Sequence, residues 1–118
     1  MRKTILLGIT CAAALLHTVA AHGQSTPTIE IHAKRYAFIP AQITLKKGKT
    51  VKLELISDDV SHSLVIDALH LRVRAAAGEK AITTVTPEQT GDFKAKCGVF
   101  CGSGHGQMAL VVHVISGE

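Results

Sequence analysis

Val51-Lys52-Leu53-Glu54-Leu55-Ile56-Ser57 alternates apolar and polar side chains. That period belongs to a pleated strand, so Val51, Leu53 and Leu55 are expected to point inward together. The pattern recurs on both sides. Ile29-Glu30-Ile31-His32-Ala33 reads as a half-buried strand, Tyr36 to Pro40 as an extended piece stopped by its proline, and Gln42 to Leu45 as a third strand. Lys46-Lys47-Gly48-Lys49 is the turn into the central strand. Downstream, Leu64-Val65-Ile66, Leu69 to Val73, Ala81 to Thr86, Asp92 to Cys97 and Met108 to Val114 are further strands. Asp92 to Cys97 puts Phe93, Ala95 and Cys97 on one face. Turns are marked by Gly78, within Ala75 to Lys80, and by Pro87 to Gly91. Many short strands, frequent turn signals and no helical period beyond the first residues predict an all-β Greek-key sandwich or barrel of antiparallel strands.

The 118-residue chain is long enough for one domain. Met1-Arg2-Lys3, the apolar run from Thr4 to Val19 and the small residues that follow describe a signal peptide over 1–21, with cleavage possible as late as 23. The domain then occupies 22–118, and Cys11 leaves with the leader. Such a leader implies a periplasmic protein with no membrane span in its mature chain. Losing Arg2 and Lys3 from the thirteen basic residues leaves eleven against nine acidic ones. The lysines are scattered as on solvated strand faces, which excludes nucleic-acid binding as the main role.

The chemistry is concentrated in Cys97-Gly98-Val99-Phe100-Cys101-Gly102-Ser103-Gly104-His105-Gly106-Gln107-Met108. Thiol, imidazole and thioether in one loop form a soft ligand set that points to copper before zinc or iron. Glycines at 98, 102, 104 and 106 are expected to let the loop curl around an ion through positive φ. A polar break, Ser57 to Ser63, is expected to deliver His62 on a loop at one end of a sheet. His32 and His113 read as solvent-facing or hydrogen-bonded, and His70 as a possible partner of a ligand rather than a ligand.

With Asp59-Val60-Ser61-His62-Ser63 and the loop from Cys97 to Met108 in hand, the chain resembles the CuA domain of cytochrome c oxidase subunit II and the copper domain of nitrous oxide reductase. The likeness covers about residues 34 to 115 and includes Phe38, Pro40, Gly48 and Gly78. It implies a cupredoxin fold with two coppers bridged by Cys97 and Cys101. It further implies His62 and His105 as one imidazole each, Met108 as a weak thioether ligand and the Val99 carbonyl as the remaining donor. Such a site is closed to substrate and implies a monomeric electron carrier, not an enzyme, whose partners are redox proteins such as a cytochrome or an oxidase. Val99 departs from the resemblance, since oxidase subunits carry a magnesium-binding glutamate there. So does the absence of tryptophan.

Other readings of the same residues stay open in the sequence. Cys97 and Cys101 could form a disulfide. His62, Cys97, Cys101 and His105 could hold a tetrahedral zinc. A mononuclear blue copper site could use His62, Cys101, His105 and Met108, leaving Cys97 without a role. A copper-delivery protein is the rival from another functional class.

Overall fold

The computed structural model describes residues 25–117. The expected signal peptide, Cys11 and the cleavage site lie outside the described residues. Among those described, no helix is long and apolar enough to cross a membrane.

Nine strands form the described chain: β1 (Thr28–Lys34), β2 (Ala37–Ile39), β3 (Gln42–Lys46), β4 (Val51–Ser57), β5 (His62–Ile66), β6 (Leu71–Ala75), β7 (Lys80–Val85), β8 (Gly91–Lys96) and β9 (Ala109–Ile115). They make a four-stranded sheet ordered β2-β1-β4-β7 and a five-stranded sheet ordered β3-β9-β8-β5-β6. The expected all-β sandwich is therefore found.

Alternation does the work of burial. On the first sheet Ile31, Ala33, Leu53 and Leu55 face inward; on the second Leu45, Leu64, Ile66, Val73, Ala95, Leu110, Val112 and Val114 meet them. Each large aliphatic side chain buried this way contributes roughly 1.5–3 kcal/mol of transfer free energy. The inward set of β4 is the expected one.

Three expectations change. The pairing is mixed, because β1 runs parallel to β4, with Ile31 opposite Leu55, and β3 runs parallel to β9, with Leu45 opposite Val114. A two-residue period fixes which face is buried but says nothing about neighbour or direction. His62 is the first residue of β5 and not a loop residue. The break before it is shorter than its polar composition suggests, since the Ser57 hydroxyl donates to the Val60 carbonyl and the Val60 N–H to Asp59 Oδ1 at 2.6 Å. The strand expected from Leu69 begins at Leu71, after a single 3-10 turn at Asp67–Leu69 that ends on His70 with φ 51°.

Two substitutions on one sheet test the assignment of faces. Leu55→Ala, at a fully buried position, should lower unfolding free energy by about 2–5 kcal/mol. Ile82→Ala, on the outer face of the same sheet with Ile82 58% exposed, should change it by less than about 0.5 kcal/mol. Urea denaturation of both variants measures the contrast, and comparable losses would contradict it.

Candidate metal centre

At one end of the sandwich the inward row of side chains turns from hydrocarbon to sulfur. Ala95 on β8 is followed two residues later by Cys97, and β9 is preceded by Met108, so both enter the core cluster together with Cys101. His62 is wholly buried beside them. The Cys97 and Cys101 sulfurs stand 3.9 Å apart as two free thiols. A disulfide would need about 2 Å.

The remaining donors divide between these sulfurs. Near Cys97 Sγ lie the Val99 carbonyl at 3.2 Å and His62 Nδ1 at 4.0 Å. Near Cys101 Sγ lie Met108 Sδ at 3.4 Å and His105 Nδ1 at 3.8 Å. All six positions named from the sequence are thus neighbours. His62, Cys97 and Cys101 present ligand atoms within 4.8 Å of one another and could hold a metal ion. His105 joins through Cys101 alone among the distances above, and it is only half-buried, with the 82%-exposed Phe100 ring tilted over it at 6.0 Å.

What orients these groups lies outside the loop. His62 directs Nδ1 at the sulfur because its Nε2 is held by Asp59 Oδ1 at 2.6 Å. Such a carboxylate–imidazole contact fixes ring and tautomer for a metal ligand. Burial alone would raise the Asp59 carboxyl, but the N–H groups of Arg35 and Val60 and the His62 ring outweigh it and hold it at about 2. The Arg35 backbone N–H donates to Asp59 Oδ2 at 2.8 Å while its Nε donates to the Cys101 carbonyl at 3.0 Å. One residue therefore ties the β1–β2 turn to both halves of the site.

The glycines act differently from expectation. Of the four in the loop only Gly102 has positive φ, 135°. Gly98 and Gly104 are required for closeness. A Cβ on Gly98 would lie 2.7 Å from Val65 Cγ2 and 2.8 Å from Ser63 Oγ, the atom to which the Gly98 N–H donates at 2.7 Å. The Tyr36 ring lies flat enough on Gly104 to leave only 2.5 Å for one there.

His70 does not join the site. It lies exposed on a groove with Leu69, Thr86 and Glu88 that no candidate donor lines. His32 is bonded to Asp58 at 2.8 Å and His113 to Asp92 at 2.6 Å, as expected of strand histidines. Sequence reasoning missed Arg35, Tyr36 and the role of Asp59. Only Asp59 carried a signal, three residues before His62.

A family model described as the cupredoxin-like domain matches residues 6–112. The chain belongs to the cupredoxin-like family. A probable cytochrome c oxidase subunit 2 of Streptomyces coelicolor is 38% identical over 74 residues, 63% of this chain and 23% of that protein. The cupredoxin-like chain thus spans about a quarter of that relative's length. Among solved structures, the periplasmic domain of cytochrome oxidase subunit II from Bradyrhizobium japonicum superposes with a TM-score of 0.70 at 17% identity, covering 80% of this chain and 87% of the other. Auracyanin A, a blue copper protein from Chloroflexus aurantiacus, gives 0.63 at 18% identity over 77% of this chain and 100% of its own. Since a blue copper protein shares the fold, the fold does not choose the nuclearity of a site; the donors do.

The thiols give this centre a proton linkage. Burial foremost, then the charge and hydrogen bond of Cys97, push the Cys101 thiol up to about 11. It is protonated at neutral pH, and a metal that binds its thiolate must displace that proton. Affinity therefore rises with pH up to the raised value. From pH 6 to pH 8 the Cys101 proton alone should strengthen Cu(I) binding about tenfold per unit, read by competition with a chromophoric chelator. A flat profile would contradict the assignment of Cys101 as a ligand.

Proposed function

We propose that this chain is a secreted, periplasmic electron-transfer domain holding two copper ions in a CuA-type centre. Its ligands would be His62, Cys97, the Val99 carbonyl, Cys101, His105 and Met108. The observation that carries the reading is the division of donors about the sulfur pair: an imidazole and a carbonyl beside Cys97, an imidazole and a thioether beside Cys101. That is two sets sharing two thiols. A single tetrahedral zinc would instead use both imidazoles on one centre, yet His105 falls outside the compact group of His62, Cys97 and Cys101. A mononuclear blue site would leave Cys97 buried and idle.

Bound copper would supply one-electron chemistry, and soft thiolate and thioether donors suit its reduced form. The protein's own residues do the rest. Asp59 and Arg35 hold His62 and the Cys101 carbonyl in place, Tyr36 braces the loop on Gly104, and the core excludes water from both sulfurs. Preset donors would limit rearrangement between oxidation states, and with protein groups filling its positions the metal would have none left for a substrate, so we read the domain as an electron carrier and not an enzyme. Burial of His62, Cys97, Cys101 and Met108 also disfavours copper delivery, which needs incoming ligands to reach the metal. We take the domain to be monomeric, with a cytochrome or an oxidase as its redox partner; the likeness to oxidase subunit 2 chains supports the latter.

Copper-loaded protein should hold two coppers per chain and show a mixed-valence paramagnetic signal with coupling to two equivalent nuclei. One copper with a four-line pattern would overturn the reading, and Cys97→Ser should abolish the binuclear signal. Val99→Ala keeps the carbonyl and should bind copper almost as well, without response to magnesium.

The ligands should also rank. Met108→Leu preserves volume, should cost under about 1.5 kcal/mol of stability and should retain copper with an altered potential. His105→Ala should weaken binding and break the equivalence of the coppers. Copper and redox titrations of both variants check the order, and earlier copper loss from Met108→Leu would reverse it.

A further inference from the structure

The outer face of the five-stranded sheet gathers cations that the sequence scatters. On β6 the outward residues are Arg72 and Arg74, and on β8 they are Lys94 and Lys96, all exposed. Register joins them into one field. Val65 of β5 pairs with Arg72 on one side and Lys96 on the other, and Ser63 pairs with Arg74. Neighbouring strands lie about 4.8 Å apart, so Arg72 and Lys96 start about 10 Å from each other across Val65. Along β8 the next outward residue, Lys94, faces Val111 and not an acid.

Few carboxylates answer this charge. Among the described residues Arg72 approaches Asp67 at 3.8 Å with both side chains largely exposed, a contact of little energetic weight. Arg74, Lys94 and Lys96 have no carboxylate within ion-pairing distance among the described residues. Asp92, at the far end of the same face, contacts His113 and none of the four cations. The opposite sheet differs, since its outer face mixes Glu30 and Glu54 with Lys52 and Lys80, and Lys80 pairs with Glu54 at 3.1 Å. Like charges on β6 and β8, separated only by β5 and lacking close carboxylates, set up a positive field that favours an anionic partner.

The field also abuts the candidate centre. Val65 faces this side, yet it is only 2% exposed, because Gly98 of the donor loop lies against it. The Gly98 N–H is bonded to Ser63, the residue opposite Arg74, and Lys96 directly precedes Cys97. The donor loop thus leaves the sheet from between the cations.

We propose that Arg72, Arg74, Lys94 and Lys96 form the docking surface for an acidic redox protein, an inference that rests on the electron-carrier reading above. Rigid strands hold the four charges at fixed spacing, which fits the fixed carboxylates of a folded partner. Among the described residues the large exposed apolar side chains, Tyr36, Ile39, Ile82, Phe100 and Ile115, lie on neither of the strands that carry the cations, so the cationic patch itself has nothing to enter a bilayer. Docking here sets the partner beside the loop that holds both cysteines, and the local field raises its encounter rate by roughly 10- to 1000-fold at low ionic strength.

The test measures reduction of the copper-loaded protein by reduced plant-type ferredoxin, an acidic donor, with hexaammineruthenium(II) as a small cationic reference. The variant is Arg72→Glu/Arg74→Glu/Lys94→Glu, sparing Lys96 because its neighbour is Cys97. The wild-type rate with ferredoxin should fall about tenfold as salt rises from low to high, and the variant should show a loss of about tenfold at low salt with the salt dependence gone or reversed. Hexaammineruthenium(II) should reduce the variant at least as fast as the wild type, which shows its copper centre intact. A control, Lys46→Glu/Lys47→Glu/Lys49→Glu, alters the far end and should leave the ferredoxin rate within about twofold. An unchanged rate in the first variant, or an equal loss in the control, overturns the proposal. So does salt-reversible binding to phosphatidylglycerol vesicles that the first variant abolishes without slowing ferredoxin. If hexaammineruthenium(II) cannot reduce the wild type, the carrier reading fails; salt-dependent binding of ferredoxin to metal-free protein then decides the surface by itself, and loss of binding in the first variant alone upholds it.

Discussion

Everything at the functional end follows from placing polar and soft donor groups inside a hydrophobic core. Cys97, Cys101 and Met108 belong to the same buried cluster as Ala95 and Leu110, and His62 is wholly enclosed. A buried polar group without a partner costs several kcal/mol in an apolar medium. Each is accordingly satisfied: His62 Nε2 by Asp59, the Cys97 thiol by the Val99 carbonyl, the Cys101 carbonyl by Arg35. These contacts leave the two sulfurs and the two Nδ1 atoms facing one another. Satisfaction of the core and orientation of the donors are one arrangement.

That arrangement is assembled from distant parts of the chain. The β1–β2 turn supplies Arg35 and Tyr36, the β4–β5 turn Asp59, the first residue of β5 is His62, and the β8–β9 loop supplies the other donors. Closing such long loops costs chain entropy that only the folded sandwich offsets. Arg35 makes the economy visible, because its backbone fixes the acid that orients one imidazole while its side chain fixes the loop that carries the other. The candidate donors are thus positioned by the protein's own contacts, with the raised Cys101 thiol retaining its proton.

Legibility in the sequence tracked whether information was local. The inward faces of Val51–Ser57 and of Phe93, Ala95 and Cys97 could be read because side-chain period is a local property, and the donor loop because its residue types are. Strand direction could not be read, since β1 and β4 are parallel for reasons of connection that no period records. Val65 misleads within its apolar run: it is buried, yet on the outer face, under a loop that returns from residue 98. His70 followed the His62 segment in sequence but a left-handed turn carries it to another groove. Arg35 and Tyr36 sit beside the donors through a contact 66 residues long, which a single sequence does not display.

The two imidazoles end in unlike surroundings, and this bears on how a buried centre would meet a partner. His62 is sealed by β5 and anchored to an anionic carboxylate; His105 is half-exposed beneath the solvent-facing Phe100 ring. The Asp59 charge is stabilised by Arg35 and Val60 N–H groups and stays anionic through the physiological range. The His62 ring is therefore held against a fixed negative charge, while the His105 ring lies nearer to solvent. One ring is thus fixed by a charged neighbour and the other is set by the loop alone, so substitutions at Asp59 and at Phe100 act on different halves of the donor cluster.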